Sequence, residues 1–212
     1  MSLVIAVDGP AASGKGTVAG WLAAHYGLPY LDTGLLYRAV GVSLMRDGFA
    51  LDDAEAAEAA ARVLALTALD DPDLRGGPAG EAASRVAVHP GVRAALLELQ
   101  RAFARRPGGA VLDGRDIGTV IAPDADVKLF VTATAEVRAE RRWKQLKGYG
   151  EAITYEEVLA DIRRRDARDS SREAAPLGQA PGAHLLDTTD LSIEAATDAA
   201  RRIVEAARAD RT

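Results

Sequence analysis

Cysteine is missing from the chain altogether, so disulfides and thiolate metal sites are excluded. No apolar run approaches the roughly 20 residues that a membrane-spanning helix needs. The N-terminus passes straight into a strand-like segment, without the basic region and apolar core of a secretory leader. A cytoplasmic protein is the simplest expectation. An excess of basic residues is lacking too: 26 Lys and Arg stand against 31 Asp and Glu, a formal charge of −5, which argues against wholesale nucleic-acid binding. The three histidines, His25, His89 and His184, share no metal-ligand spacing and read as structural. No Ser/His/Asp nucleophile set can be assembled, and there is no internal repeat or low-complexity linker. What is present is ordinary for a globular chain: 212 residues, 48% hydrophobic and 27% charged, long enough to bury a real core.

The strongest local signal lies near the start. The apolar run Leu3–Asp8 ends in a glycine-rich turn, which leads into a helix-like stretch from Val18 to Tyr26 with Trp21 and Leu22 as core candidates. Gly9, Pro10, Ala11, Ala12, Ser13, Gly14, Lys15, Gly16 and Thr17 have the spacing of a phosphate-binding P-loop. Glycines let backbone N–H groups curl around an anion, and the following helix adds its positive N-terminal end. Lys15 would reach the β- and γ-phosphates of a nucleotide. The hydroxyl that usually follows the lysine comes one residue late, at Thr17, with Gly16 in its place.

Further strands are expected at Leu28–Leu31, Ala110–Asp113, Asp126–Val131 and His184–Asp187. Helices are expected over Leu35–Met45, Ala54–Leu64 (capped by Asp52 or Asp53), Ser84–Arg105 with a break at His89-Pro90, Ala135–Lys147, Thr154 to about Asp169, and Ser192–Ala209. Thr154 with Glu157 makes a capping box. Asp70–Gly80, with Asp-Asp-Pro-Asp and Gly-Gly-Pro, reads as loop. Trp143 reads, like Trp21, as a packing residue. Strands alternating with helices imply an α/β fold: a P-loop NTPase-type parallel five-stranded sheet with helices on both faces. Ligands in such sheets collect beyond the carboxyl ends of the strands.

Polar groups fall at those ends: Asp8, Asp32-Thr33-Gly34, Asp113-Gly-Arg-Asp116, Thr132 and Asp187-Thr-Thr-Asp190. Asp113 either holds Mg²⁺ through water, with Thr17 as the other candidate ligand, or caps the next turn. Arg115 and Asp116 form either a phosphate-and-base-reading loop or a plain ion pair. Arg38 either forks onto a phosphate or is a solvated helix arginine. Arg138, Arg141 and Arg142 share one helix face by their spacing, as do Arg165, Asp169 and Arg172, with Arg168 adjacent. With the Lys147–Gly150 turn between them they form a flap, basic at both stems, able to close over a triphosphate.

In sequence order, Gly9–Thr17, Leu31–Arg38, Asp113–Thr119, Pro123–Asp126, Arg165–Arg172 and Leu186–Thr189 resemble the bacterial cytidylate kinases across nearly the whole chain. The resemblance implies one P-loop kinase domain over 1–212, a monophosphate-binding insert over 38–95 and a helical, arginine-rich lid with its stems over 138–172. It implies transfer of the γ-phosphoryl group of ATP to CMP or dCMP with Mg²⁺, and no nucleic-acid or membrane partner. A monomer is the default expectation.

By position, Ser84, Arg93 and Asp116 match residues that read cytosine, Arg38 and Arg115 those that hold the CMP phosphate. Thr33, Arg165, Asp169 and Arg172 match a group around sugar and phosphate. Lys15, Arg115 and the lid arginines Arg141 and Arg168 would neutralise charge at the reacting phosphoryl. An aspartate suits the N4 amino group of cytosine, and an acceptor that is already an anion needs no general base. Between Leu64 and Ser84 the chain is shorter than the family usually carries, which implies a truncated or absent small sheet in the insert. The alternatives are another small-substrate P-loop kinase, such as a UMP/CMP type, and a nucleotide-binding switch. A GTPase-type switch should carry Asn-Lys-x-Asp, which the chain lacks.

Overall fold

A computed structural model of the chain describes residues 2–172 and 175–209; residues 1, 173–174 and 210–212 of the expected 1–212 span lie outside it. Five strands, β1 (Leu3–Asp8), β2 (Tyr30–Asp32), β3 (Gly109–Gly114), β4 (Val127–Thr132) and β5 (His184–Asp187), form one sheet in the order β2-β3-β1-β4-β5. Every neighbouring pair is parallel. The central strand β1 therefore lies between β3 and β4, and the chain departs from its carboxyl end, where a parallel sheet opens a crevice.

Alternation along the buried strands divides the core in two. Ala6, Ala110 and Leu112 face α2 (Thr33–Arg46) and α5 (Pro90–Ala104), with α3 (Ala54–Arg62) and α4 (Gly77–Val86) extending that layer. Ile5, Val7, Val111, Leu129 and Val131 face α1 (Lys15–Tyr26) and α8 (Ile193–Ala209). A smaller cluster joins α6 (Ala135–Gly148) and α7 (Tyr155–Ser171) through Ala139, Leu146, Val158 and Ile162, and reaches Ala11 of the glycine-rich turn. No helix among the described residues is long and apolar enough to cross a membrane.

Most departures from the sequence reading are at element ends, where tertiary partners decide. The second strand starts at Tyr30 because Leu28 still serves α1: Gly27 is left-handed (φ 64°) and Leu28 N donates to Ala23 O. Helix α2 starts at Thr33 because the Asp32 carboxylate accepts from Gly34 N at 2.9 Å. Asp53, not Asp52, caps α3, while Asp52 pairs with Arg85. The loop expected over 70–80 is instead two 3₁₀ turns, Leu66–Asp70 and Pro72–Arg75, followed directly by α4; Pro78 sits in its first turn, where proline is tolerated. Ser84 thus belongs to a helix separate from α5. No strand occurs between Leu64 and Ser84.

The capping box Thr154–Glu157 and the bounds of β5 follow the sequence. Trp21 does not reach the core: it is 36% exposed and stacks on His25 with ring centroids 4.7 Å apart, whereas Leu22 is fully buried. His89 Nε2 lies 3.0 Å from Leu51 O, a structural contact as expected.

Candidate active site at the carboxyl ends of the strands

The turn after β1 takes its shape from two glycines. A side chain at Gly9 would collide with the carbonyl of Val131 on β4, and Gly14 is left-handed at φ 88°. Three elements hold the turn from outside. Asp8, buried at its base, accepts from Ile117 N and Gly118 N, both at 2.8 Å. Arg138 of α6 donates to Ala11 O and, with both Nη atoms, to Asp166 of α7. Thr188, after β5, donates its hydroxyl to Ser13 O at 2.8 Å. Inside the turn, the hydroxyl of Ser13 is fully buried and has no protein partner. A buried hydroxyl of this kind is open to a bound polar ligand or a water.

Two cavities flank the turn. One, of about 340 Å³, is lined by Lys15 and seven arginines against three aspartates, Asp32, Asp116 and Asp169. That is an excess of five positive charges inside a chain whose formal charge is −5. Burial, together with neighbouring arginines, pushes the guanidinium groups of Arg38, Arg142 and Arg165 below their usual range, and the buried Nε of Arg165 has no partner. Cations crowded out of water in this way gain from a polyanion. The other cavity, about 450 Å³, lies between α1, α6 and the 188–193 segment, with Thr17, Arg141 and Ile193 in its wall. Ala12, Arg142 and Gln145 border both cavities.

Within the first cavity the groups fall into two ends. Lys15, Arg38, Arg115 and Arg165 gather at the P-loop end with Thr33, whose hydroxyl donates to Asp113 O at 2.7 Å. Arg115 pairs with Asp169 at 2.9 Å, and Arg172 Nε donates to Asp169 O. Burial would raise the Asp169 carboxyl, but Arg115 and Arg172 hold it low. At the far end Arg93 forms a short ion pair with Asp116, beside Ser84 and the ring of Tyr37, which lies 5.8 Å under the Arg93 guanidinium. Burial raises the Asp116 carboxyl against the pull of Arg93.

Asp113 closes β3 with its carboxylate buried. Tyr30 donates to Oδ1 at 3.1 Å and Lys15 Nζ lies 3.8 Å from Oδ2. Burial drives this pair toward neutrality, lowering the lysine and raising the aspartate. Thr17 does not share its surroundings. A residue is turned by about 100° from the one before it on a helix, and it is Gly16 that faces Asp113: a side chain there would lie 3.4 Å from Oδ2. Thr17 is exposed on the other cavity's side. Thr17 and Asp113 thus face different sides of α1, and the described residues hold no group of three or more acidic or histidine side chains that could hold a metal by themselves.

The arginines of α6 and α7 separate in three directions. Arg138 is buried in the structural contacts above and faces neither cavity's ligand space. Arg141 is turned toward Thr188, donating to its carbonyl at 2.6 Å and its hydroxyl at 2.9 Å. Arg168 is not in either cavity wall; Glu81 and Ser84 hold it. Arg141 therefore lines only the second cavity, where it also donates to Ser13 O, and Arg168 lines neither. Arg142, grouped in the sequence with Arg138 and Arg141 but given no catalytic role, borders both cavities. Tyr37 lines the far end of the first cavity; its place four residues after Thr33, on the same face of α2, was the available signal.

The model of the family described as cytidylate kinase matches residues 5–207. The chain belongs to the cytidylate kinase family. A cytidylate kinase of Caulobacter vibrioides is 68% identical over 209 residues, covering 99% of this chain and 98% of the relative. Those of Xanthobacter autotrophicus and Rhodopseudomonas palustris are 64% and 56% identical, each with 99% of this chain covered and with 100% and 99% of the relative covered. Among solved structures, an uncharacterized protein from Eubacterium ventriosum superposes with a TM-score of 0.58 at 15% identity, over 96% of this chain and 99% of that one, a likeness of fold alone.

Proposed function

We propose that the chain transfers the γ-phosphoryl group of ATP to CMP or dCMP, giving ADP and CDP or dCDP. The observation that carries this reading is the pair of cavities meeting at the P-loop, with Arg142 on the border and an Asp116–Arg93–Ser84 group at the far end of the cationic one. Membership of the cytidylate kinase family supports it.

In this reading ATP occupies the cavity beside Thr17 and Arg141, its phosphates in the turn Gly9–Thr17. CMP occupies the cationic cavity: Asp116, Arg93 and Ser84 meet the cytosine, Arg38 and Arg115 the phosphate, and Thr33, Arg165, Asp169 and Arg172 the sugar and phosphate. Lys15 and Arg142 stand on either side of the transfer path. The acceptor oxygen is already anionic, so the residues supply position and opposing charge rather than a proton acceptor. Mg²⁺ would travel with ATP and be reached from Asp113 through water, supplying charge neutralisation on the phosphates. Segment 38–95 is the monophosphate-binding insert and 138–172 the lid with its stems, in a monomeric cytoplasmic enzyme.

A coupled ADP-release assay with CMP, dCMP, UMP and AMP tests the reading. CMP and dCMP should turn over far faster than AMP, and Lys15→Ala should abolish turnover while leaving the fold intact. Equal rates with AMP would refute the cytosine assignment.

A further inference from the structure

Asp116 stands at the entrance of a π turn, Ile117–Ile121, and its main-chain carbonyl accepts from Val120 N at 2.9 Å and Ile121 N at 3.2 Å. Single π turns recur at functional sites. An aspartate at the entrance of a helical turn ordinarily folds its carboxylate back onto the first free N–H groups of the turn. Asp116 makes no such bond. Its carboxylate is turned to Arg93 and the wall of the cationic cavity.

The N–H groups of Ile117 and Gly118 are buried, and buried donors need partners. Asp8 at the end of β1 supplies both, accepting from Ile117 N through Oδ1 and from Gly118 N through Oδ2, each at 2.8 Å. It can do so because β1 and β3 end level: Asp8 is the register partner of Gly114, so the chain leaving β3 crosses the end of β1. Gly118 permits the close approach. A Cβ there would stand 3.3 Å from Asp8 Oδ2 and 3.1 Å from Ala180 Cβ. Asp8 is 3% exposed and lines neither cavity, so it reaches a substrate only through the turn it holds.

We propose that Asp8 is a positioning residue for base recognition: by capping the π turn from β1, it leaves the Asp116 carboxylate free to meet the cytosine amino group. The proposal rests on the cytidylate reading above. Without Asp8, the bare N–H groups of Ile117 and Gly118 compete with Arg93 and the base for the Asp116 carboxylate. The loss falls on CMP, whose amino group needs that acceptor, and spares UMP, whose O4 is itself an acceptor. Loss of the Asp8 charge alone acts in the opposite sense. The two carboxylates oppose each other's ionisation, so removing one charge would favour the other.

The test measures kcat and KM for CMP, UMP and ATP in the full-length protein and in Asp8→Asn, Asp8→Ala, Gly118→Ala, Asp116→Ala and Asp8→Asn/Asp116→Ala. A hydrogen bond to a charged group corresponds to roughly 10- to 100-fold in affinity. Asp8→Asn keeps one acceptor oxygen and should lower the CMP-to-UMP ratio of kcat/KM by about tenfold. Asp8→Ala keeps none and should lower it further. KM for CMP should rise more than KM for ATP. Gly118→Ala, which crowds Asp8 Oδ2, should shift the ratio the same way by a smaller factor. In the Asp116→Ala background, Asp8→Asn should leave the ratio unchanged.

A ratio within twofold of the parent in Asp8→Asn, with both monophosphates losing equally, would overturn the proposal and leave Asp8 a strut of the fold. A rise in the ratio would overturn it too, as would a further fall in the Asp116→Ala background. If neither Asp8 variant folds, Gly118→Ala decides alone, and an unchanged ratio there overturns the proposal. A parent protein without preference for CMP over UMP removes the cytidylate reading and the proposal with it, and that result is read before any variant is made.

Discussion

Replacing Arg138 by methionine separates a structural arginine from a catalytic one. The side chain is 5% exposed. Its Nε donates to Ala133 O at 2.9 Å, Nη1 to Ala11 O at 3.3 Å, and the two Nη atoms to Asp166 at 3.0 and 2.6 Å. Methionine keeps the apolar stem but none of the donors. Two carbonyls then lose their partner at about 1 kcal/mol each. The Asp166 carboxylate is 28% exposed and is partly rescued by water, so its share is discounted to about 1 kcal/mol. The whole loss is about 3 kcal/mol, a fall of roughly 6–12 °C in Tm for a chain of this size. Denaturant unfolding without nucleotide measures it, with Arg163→Met as control. Arg163 makes an exposed pair with Glu136 and should cost under about 1 kcal/mol. Because Ala11 O belongs to the P-loop, KM for ATP should rise in Arg138→Met and not in the control. A loss below about 1 kcal/mol, or one equal to the control, would refute the assignment of Arg138 as the strut between lid and P-loop.

Three further outcomes follow from the same contacts. Burial lifts the Asp8 carboxyl from the usual 3.8 to about 6, so the folded chain keeps a proton there that the unfolded chain has lost between those values. Its contribution to stability falls as pH rises through that window, by about 3 kcal/mol in all. The difference between parent and Asp8→Asn unfolding free energies should show this slope between pH 4 and 7, and a flat difference would refute it. Glu151, at the tip of the α6–α7 hairpin, accepts from Gly77 N at 2.9 Å and caps α4 from another part of the fold. Glu151→Ala should raise KM for CMP several-fold with a smaller change in kcat, and an unchanged KM would show that the hairpin closes without it. Gly41→Ala should lose about 1–2 kcal/mol despite alanine's better helix propensity, because the new Cβ would stand 2.6 Å from Ala82 Cβ. A thermal melt showing a gain would refute that packing argument.

The parts of the site that were legible in the sequence are those whose chemistry is local. The turn Gly9–Thr17 carries its own reasons: glycines where the backbone must curl, a lysine at phosphate reach and a helix behind. Unbroken apolar runs announce buried parallel strands, and four of the five were placed within one residue of their bounds. What stayed hidden depends on partners distant in sequence. Arg138 resembles any lid arginine until Asp166, 28 residues on, and the carbonyl of Ala11 are brought to it. Arg141 and Arg142 were grouped by helical spacing, yet adjacent residues differ by about 100°. That turn sends one to Thr188 and the other to the border of the two cavities. Trp21 failed as a core residue because α1 is apolar nearly all round, so its sequence does not say which face meets the sheet.

The attachments of the α6–α7 hairpin make it a lever with unequal ends. Its base is tied by Arg138 to Ala11 and Asp166 and by apolar packing against the P-loop, contacts that are buried. Its upper surface meets the 76–84 segment through Arg142 to Gly76 O, Glu151 to Gly77 N, and Arg168 to Glu81 and Ser84. These contacts lie at the rim; the Arg168–Glu81 side chains are 27% and 37% exposed, and such pairs contribute about 0–1 kcal/mol. The contacts to the 76–84 segment are thus the weaker, water-replaceable set, and those to the P-loop the stronger. An enzyme that must admit CMP and then exclude water at the phosphates needs that asymmetry.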